Sequence, residues 1–321
     1  MMGRERQAME QVATEFWDQI QNPVVYALPV FVISMAIEAA ALRSEARPTA
    51  GYVRPEARSS IMMGLGSLAF MFVFKLATLV AFSVLYVQLA PWQLPTTSWW
   101  TWLVLIIAVD LTWYCNHRFS HRVRIGWAGH RAHHSSESFN FSSAVRLKWN
   151  PWSEAIFWMP LPLLGFAPWT IYVAYGFNMI YQFFLHTELV GKLPRPFEFL
   201  FNTPAHHRIH HSRRPEHLDK NYGGILIIWD RTFGTIVDGD CHPEYGLFEA
   251  KPFGEGIMQI QYGEYARIVA DVRRTKSWRE RLAYVFAPPG WRPRGAVMTP
   301  RKPLASTRDF ASGAMRRDDG D

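Results

Sequence analysis

Long apolar segments separated by charged ones dominate the first 190 residues of the chain. A helix needs about 20 mostly apolar residues to cross a bilayer core of about 30 Å, and residues 24–42, 61–90, 98–115 and 155–185 reach or approach that length. The fourth segment is interrupted by Gly-Phe-Ala-Pro at 165–168, which predicts a hairpin or re-entrant pair with both ends on one side. The pattern therefore predicts an all-α integral membrane protein with about four transmembrane spans.

Polar and charged residues dominate after residue 187 and predict a cap outside the bilayer. Residues 221–240 indicate a short buried element followed by turns, and a helix is expected near 263–287. The last residues are rich in Pro, Arg, Ser and Gly, which predicts a disordered tail. We therefore divide the chain into an N-terminal segment 1–20, N-terminal transmembrane helices 21–97, a catalytic domain 98–287 and the tail 288–321.

Arginine placement predicts the orientation of the helices because short cytoplasmic loops carry an excess of Lys and Arg. The segment 43–59 contains four arginines, whereas 88–97 has no charged residue. We expect the first loop inside the cell and the second outside. The segment 98–115 then runs inward, and the histidine-rich cap that follows it lies on the cytoplasmic face of the cell membrane.

Composition and charge narrow the class of protein. Apolar residues make up 49% of the chain and aromatic residues 15%, which is rich for a soluble protein. The net charge of +7 favours an anionic membrane leaflet as partner over nucleic acid, because no basic and aromatic RNA- or DNA-binding module is present. The two cysteines, Cys115 and Cys241, exclude a disulfide framework and fit a reducing compartment.

Histidine spacing is the strongest chemical signal. All 12 histidines lie between residues 117 and 242. The first two are four residues apart and share one face of a helix. The pattern HxxHH then occurs twice, and its positions i, i+3 and i+4 form a one-sided triangle. With the histidine at the end of the predicted hairpin, these clusters supply nine imidazoles, which are His117, His121, His130, His133, His134, His186, His207, His210 and His211.

Nine imidazoles at ligand spacing predict a site for two metal ions. A lone histidine is more often a hydrogen-bonded core residue or a solvated surface group, but nine buried rings without partners would cost about 1–3 kcal/mol each. Four or five ligands saturate most ions, so nine indicate two ions. The clusters lack the cysteine and carboxylate ligands of many zinc sites and border lipid, which favours iron and oxygen chemistry on a lipid C–H bond.

The motifs HRFSH, HRAHH and HHRIHH resemble the three histidine boxes of the fatty acid hydroxylase and sterol desaturase superfamily. The resemblance covers about residues 98–240, and AGHRAHHSSESFNFSSAVR at 128–146 is most similar to the alkylglycerol monooxygenase branch. It implies a di-iron centre that hydroxylates or desaturates a lipid such as a fatty acyl chain, an alkylglycerol or a sterol, with O2 as oxidant. It also implies that the nine histidines are the iron ligands, with no catalytic residue beyond the metal centre.

The resemblance extends to residues near the boxes. His206 is a candidate tenth ligand or a residue that supports the ligands. Asp110 is expected to orient a ligand ring, because metal-bound imidazoles commonly donate their second N–H to a carboxylate. Glu137, Asn140 and Arg146 are candidates for shaping the surroundings of the metal or the site of the substrate headgroup.

Three further residues that match the superfamily, Asp219, Asn221 and Trp229, are expected to fold the cytoplasmic cap. His217 and His242 fall outside the boxes and are not expected to bind metal. The sequence has no flavin, haem or nicotinamide fingerprint, so the electrons would come from a partner protein or from a diffusible reductant. For the alkylglycerol branch, that reductant is a tetrahydropterin.

Two alternatives to lipid hydroxylation stay open. Within the superfamily, a sterol desaturase of the C-5 type uses the same histidine boxes. Outside it, a histidine-rich membrane metal transporter or store would place ionisable residues along the spans as an ion path. The apolar segments contain Glu38, Lys75 and Asp110, which form a poor path, and the histidines cluster at one face. The pattern therefore favours the enzyme.

Overall fold

The computed structural model describes residues 23–43, 51–239, 243–247 and 256–293. The N-terminal segment 1–20, most of the C-terminal tail and His242 lie outside the described residues. The described part contains no β-strand and has two isolated bridges, Phe201–Leu226 and Ser212–Tyr245. Its α-helices are α1 (Pro23–Leu42), α2 (Arg54–Gln88), α3 (Trp99–Arg122), α4 (Arg124–His134), α5 (Phe141–Ala144), α6 (Trp152–Trp158), α7 (Pro160–Leu163), α8 (Pro168–Leu185), α9 (Arg195–Leu200), α10 (Pro204–His211), α11 (Ile228–Phe233), α12 (Ile257–Arg274) and α13 (Trp278–Phe286).

Helices α1 and α2 are long and apolar enough to cross a membrane. Their best windows have mean hydropathies of 2.0 and 2.3, and 11% and 17% of those windows are buried inside the protein. A core helix of a soluble protein would hide this surface, whereas Val32, Phe72 and Val73 are 61%, 59% and 68% exposed. Lipid removes such apolar surface from water. The structure therefore supports membrane association through α1 and α2, while the four spans and their orientation stay predictions.

Helix α2 also reaches into the cap. Its 35 residues extend about 52 Å, which exceeds the thickness of a bilayer core. In its first turn the Glu56 carboxylate accepts hydrogen bonds from the Ser136 hydroxyl and from the backbone N–H groups of Glu137 and Ser138. One rigid helix thereby connects the polar cap to the apolar part of the protein.

The apolar segment at 155–185 folds as the predicted hairpin. Helices α6 and α7 lead to a turn at Gly165, which adopts a φ of 90° that favours glycine. The Gly165 carbonyl accepts a hydrogen bond from the Leu94 N–H, 2.8 Å away in the loop between α2 and α3. Helix α8 then returns, and His186 ends it. Both ends of the segment therefore lie at the level of the histidine motifs.

The hairpin packs with α2 and α3 around one apolar core. The Thr78 and Tyr172 hydroxyls share a hydrogen bond of 2.6 Å inside this layer, which satisfies two polar groups that would be costly to leave unpaired in an apolar region. The buried apolar residues of the core are Leu79, Phe82, Leu105, Val109, Trp158, Leu161, Phe166, Ile171, Tyr172 and Ala174.

Helix α4 starts directly after α3, with extended Val123 between them. The buried Arg124 side chain donates hydrogen bonds to Glu264 and Asp271 of α12, at 2.9 and 2.7 Å. A buried guanidinium with two carboxylate partners is satisfied only when both are in place. This ion-pair network therefore fixes the C-terminal helices against the helix that carries the second histidine motif.

The single helix predicted near 263–287 is two helices in the structure. Helix α12 begins six residues earlier than predicted, and residues 275–277 are not helical and separate it from α13. Ser277 caps α13, because its side chain accepts a hydrogen bond from the Glu280 backbone N–H. A serine that satisfies a free N–H at a helix start is a common boundary signal.

Candidate metal centre

The nine histidines singled out in the sequence meet at the centre of the cap in two groups. The ring nitrogens of each group lie within 4.8 Å of one another, and every residue except His133 is buried. The first group consists of His117, His121, His130, His134 and His210, and the second of His133, His186, His207 and His211.

Helix geometry divides the two HxxHH motifs between the groups. On α4, His130 and His134 share a face and join the first group, whereas His133 points to the second. On α10, His207 and His211 join the second group and the residue between them, His210, joins the first. Neighbouring positions on a helix point about 100° apart, so one motif cannot serve one ion. The prediction that each motif forms a single triangle is wrong, because each helix contributes to both groups.

Backbone carbonyls orient three of the imidazoles. When the Nδ1–H of an imidazole donates to a carbonyl, its Nε2 carries the lone pair that a metal needs. Two of the carbonyls come from one segment of the cap and the third from α8. The pairs are His117 with Tyr222, His186 with Gln182, and His210 with Lys220, each with 2.8 Å between Nδ1 and oxygen.

Close Nε2 atoms show that the donor set fits metal ions. Two nitrogens that bind one ion at about 2.1 Å and at right angles are about 3.0 Å apart. Two lone pairs at that distance repel each other unless a proton or a metal ion lies between them. The Nε2–Nε2 pairs at this spacing are His117 with His130 at 3.0 Å, and His130 with His134, His133 with His186, and His186 with His207 at 3.1 Å.

Burial keeps the imidazoles neutral and able to bind metal. Desolvation is the largest cause that lowers the pKa of His134 and His211 well below the ordinary value of 6.5, and it lowers the pKa of His210 to about 4. Nε2 of His210 and of His211 has no hydrogen-bond partner within the described part of the chain. Five imidazoles in one group exceed the four ligands of a structural zinc site and suit iron.

Aromatic rings enclose the histidines. The Phe139 ring lies 5.5 Å from the ring of His186 and 5.2 Å from that of His211, and it stacks on Tyr245 at 4.9 Å. On the other side, Trp127 lies 5.4 Å from His121. The buried Phe139 ring excludes water, and both rings hold the imidazoles in place. Sequence reasoning missed them, because an aromatic residue between motifs carries no ligand chemistry of its own.

An apolar cavity of about 200 Å³ opens on one side of the histidines. It reaches both groups, because its wall includes His117 and His130 of the first and His133, His186 and His207 of the second. A mainly apolar wall of this kind suits an alkyl chain. The rest of its lining comes mainly from apolar residues of α1, α2 and α8 and of the segment after α5, including Phe31, Leu68, Met71, Val145, Met179 and Phe183.

A second cavity, of about 290 Å³, lies on the opposite side and has a more polar wall. It contacts the four histidines that the apolar cavity does not contact, which are His121, His134, His210 and His211. The nine histidines therefore form a partition between the two cavities. Charged and aromatic residues of the second cavity are Trp127, Arg131, Arg213, Asp219, Glu264 and Arg267.

Asp110 lies in a different place from the one predicted. Its buried carboxylate accepts hydrogen bonds from the Asn178 side chain, from the Ile225 and Leu226 backbone N–H groups and from the Trp229 ring, at 2.7 to 3.0 Å. No histidine ring is among these partners. Asp110 precedes the first histidine on its helix by seven residues, about 10 Å, which is too far for contact. It instead fixes the segment that follows the third motif.

His206 lies outside both histidine groups. Its Nε2 is 3.2 Å from the Asp238 carboxylate and 3.3 Å from the Glu198 carboxylate, and its Nδ1 is 3.3 Å from the Thr203 hydroxyl. The ring therefore has partners for both nitrogens and supports α10 rather than a metal. His217, which was not expected to bind metal, contacts the Ser212 hydroxyl at 2.9 Å.

The three residues predicted to shape the metal surroundings or the headgroup site line neither cavity. Asn140 caps α5. The Arg146 guanidinium donates to the Ser135 hydroxyl, directly after the second histidine motif, at 2.8 Å. Glu137 contributes its backbone N–H to the Glu56 carboxylate. These contacts hold the loop after α4 in shape. Arg146 also lies close to His133, because its charge adds to burial, the largest cause, in lowering the pKa of that imidazole.

The three residues expected to fold the cap occupy that role. Asp219 and Asn221 have φ values of 60° and 55°, a left-handed conformation that Asp and Asn tolerate better than most residues. This bend directs the carbonyls of Lys220 and Tyr222 toward the first histidine group. Trp229 donates its ring N–H to Asp110. The segment that folds the cap therefore also orients two of the histidines.

Comparison with known proteins relates the chain to lipid oxidation. Residues 102–235 match the family described as Fatty acid hydroxylase. Alkylglycerol monooxygenase of Danio rerio is 42% identical over 203 residues, which cover 63% of this chain and 45% of that protein. The Homo sapiens alkylglycerol monooxygenase is 37% identical over 240 residues, 74% of this chain and 53% of that protein. An ornithine lipid hydroxylase of Rhizobium tropici is 32% identical over 142 residues, 42% of this chain and 40% of that protein.

The chain spans about half the length of the curated relatives that it matches. The matched region contains all nine grouped histidines. No solved structure matches the chain.

Proposed function

Since the chain carries a fatty acid hydroxylase domain, we propose that it is a membrane-bound, non-haem di-iron oxidoreductase that uses O2 to hydroxylate a C–H bond of a lipid. One observation carries this proposal: two groups of imidazole donors open directly onto an apolar cavity between helices that face lipid. A metal store would need no such cavity, and a hydrolase would need water in it.

In this proposal each histidine group holds one iron ion, with five imidazoles for the first and four for the second. When bound, the iron pair would activate O2 and would accept the electrons that the reduction of O2 needs. The protein supplies neutral imidazoles, because burial lowers their pKa, and backbone carbonyls that fix three rings. The buried Phe139 ring keeps bulk water away from His186 and His211.

The reaction balances with one reductant. Hydroxylation consumes O2, two electrons and two protons; one oxygen atom enters the lipid as a hydroxyl and the other leaves as water. At a carbon next to an ether oxygen the product is a hemiacetal, which separates into an aldehyde and an alcohol. Desaturation of a sterol or an acyl chain removes two hydrogens and, with the same two electrons and two protons, reduces both oxygen atoms to water. Desaturation stays the alternative reaction to hydroxylation.

We propose an alkylglycerol as the substrate. Two relatives at 42% and 37% identity are alkylglycerol monooxygenases, and a long alkyl chain suits the apolar cavity beside α2 and α8. The chain would enter from the membrane and place an ether-linked carbon near the histidines. Fatty acyl lipids and sterols are the competing substrates that the experiment below includes.

The second cavity is suited to admit the reductant that supplies the electrons. It opens on the polar side, contacts four histidines, and carries arginines and a tryptophan. A small planar reductant of the tetrahydropterin type, or the edge of an electron-transfer protein, could approach these histidines without meeting the lipid. Separate approaches for lipid and reductant keep the reductant out of the apolar cavity. The cytoplasm is the proposed location of this side.

The proposal is tested with the purified full chain in lipid nanodiscs. Iron per chain is measured, and O2 uptake is followed with a 1-alkylglycerol, a fatty acyl lipid or a sterol, with a tetrahydropterin as reductant. We expect about two irons per chain and release of one fatty aldehyde per O2 from the alkylglycerol. His133→Ala should abolish turnover, whereas His217→Ala, outside both groups, should retain it.

Absence of iron, or O2 uptake that no lipid stimulates, would contradict the di-iron lipid oxidase. Introduction of a double bond into the sterol, without release of an aldehyde, would still support a di-iron lipid oxidase, but with a sterol in place of the alkylglycerol as its substrate. The two results separate the metal centre from the lipid that it acts on.

A further inference from the structure

Helix α13 carries an exposed apolar face at the edge of the cap. Trp278, Leu282 and Phe286 are spaced four residues apart and are 64%, 49% and 57% exposed. At about 100° per residue, the three side chains lie within an arc of about 80°. The other face packs on the protein, where the Tyr284 carbonyl accepts a hydrogen bond from Arg124. The apolar face thus points away from the described part of the chain.

Positive charge borders this apolar face. Between residues 273 and 281 the one acidic residue, Glu280, lies on the packed side and accepts a hydrogen bond from the Thr275 hydroxyl. An apolar stripe bordered by cations is the pattern of helices that lie in a membrane interface, and each Lys or Arg near an anionic surface adds attraction. The exposed cations are Arg273, Arg274, Lys276, Arg279 and Arg281.

The position of α13 agrees with a membrane surface. The Ala287 carbonyl, directly after α13, accepts a hydrogen bond from the Arg124 N–H at 3.1 Å. Arg124 lies two residues after the end of α3, which packs on the hairpin helix α8. The end of α13 is therefore fixed where a helix of the apolar layer enters the cap.

We propose that α13 is an interfacial anchor that binds an anionic lipid surface. Its three apolar side chains would lie among acyl chains, and Arg279 and Arg281, which flank them on opposite sides, would lie at lipid phosphates. Residues 288–290 follow the helix and line the polar cavity beside the histidines. An anchored α13 therefore also fixes one wall of that cavity.

Lipid contact is tested by fluorescence quenching rather than by turnover, so the result does not depend on the proposed reaction. Leu282→Cys, in a chain with Cys115→Ser and Cys241→Ser, is labelled with an environment-sensitive fluorophore. The chain is placed in nanodiscs of phosphatidylcholine alone or mixed with phosphatidylglycerol, each with a nitroxide lipid as quencher. We expect strong quenching in the anionic discs, weaker quenching in the neutral discs, and loss of the difference at high salt.

Charge variants identify the groups that recognise the lipid. Replacing Arg279 and Arg281 by Gln in the labelled chain should lower the partition into anionic discs by about fivefold per lost arginine. The matched control Arg214→Gln, an exposed arginine elsewhere on the cap, should leave quenching unchanged. A fluorophore at Glu216→Cys, also exposed on the cap, should stay unquenched.

Three results would overturn the anchor. Equal quenching in neutral and anionic discs would show that charge plays no part. A label that stays in water in both discs would show that the face meets no lipid. An apolar signal without quenching, which disappears when residues 294–321 are removed, would assign the face to the chain's own C-terminal segment.

Discussion

Removal of the Asp110 carboxylate tests how the cap is held on the apolar helices. This side chain is 1% exposed and accepts four hydrogen bonds from two other parts of the chain. Asp110→Ala leaves the buried Asn178 amide and three half-buried donors without an acceptor, and at the low end of the penalty for a lost partner each costs about 1 kcal/mol or more. The free energy of unfolding should therefore fall by at least about 4 kcal/mol.

The conservative variant separates the hydrogen bonds from the bulk of the side chain. Asp110→Asn keeps one acceptor oxygen and turns an N–H toward two of the donors. About half of the loss is expected, at least about 2 kcal/mol. At about 2 °C per kcal/mol for a chain of this size, the melting temperature should fall by about 8 °C for Ala and about 4 °C for Asn. Glu216→Gln, an exposed cap residue, is the control.

The metal content of the Asp110 variants tests whether this carboxylate also supports the histidines. Asp110 fixes the segment that contains Tyr222, and the Tyr222 carbonyl orients the His117 ring at 2.8 Å. We therefore expect Asp110→Ala to lower iron per chain as well as the melting temperature in detergent, with iron measured after purification. If Asp110→Ala melts within about 2 °C of the unchanged protein and keeps its full metal content, this account of Asp110 is refuted.

Three further predictions follow from the site and the membrane helices. His186→Ala should lose about one metal per chain and nearly all activity, since metal sites depend on full ligand sets, whereas two metals and normal turnover would remove α8 from the ligand set. Lys75 lines both the apolar cavity and a smaller cavity of about 30 Å³ beyond it; Lys75→Met should favour longer alkyl chains by up to about fourfold per added methylene in competition assays, and an unchanged chain-length preference would contradict this. A cysteine at Thr97 should react with an impermeant reagent in intact cells and one at Glu216 only after permeabilisation; the opposite pattern would reverse the proposed orientation.

The sequence by itself identified the nine histidines that converge as candidate metal ligands and the apolar segments that precede them. Histidines four residues apart lie on the same side of a helix, and apolar segments of about 20 residues are long enough to cross a bilayer core. The hairpin was also predictable, because glycine and proline at 165–168 interrupt a segment too long for one span. These inferences need only local geometry and composition.

Long-range contacts explain the predictions that differ from the structure. Asp110 was expected to hold a histidine ring, since a carboxylate near a ligand often does, but its partners lie 68 to 119 residues away in the chain. Arg146 and Asn140 differ from Asp110, because their contacts with Ser135 and with the first turn of α5 are local ones, and they stabilise the loop between the second motif and the hairpin. A polar residue near a motif in sequence can point away from it in space.

Only the tertiary structure decided how the nine imidazoles divide into five and four. Each HxxHH motif presents nitrogens in two directions, and the relative positions of α4, α10 and His186 select which directions converge. The carbonyls of Gln182, Lys220 and Tyr222 orient three rings, and every residue has a carbonyl, so its identity carries no sign of this role. The two cavities on opposite sides of the histidines likewise arise from helices distant in sequence. Spacing fixes what one helix can offer, and packing between helices fixes where those groups meet.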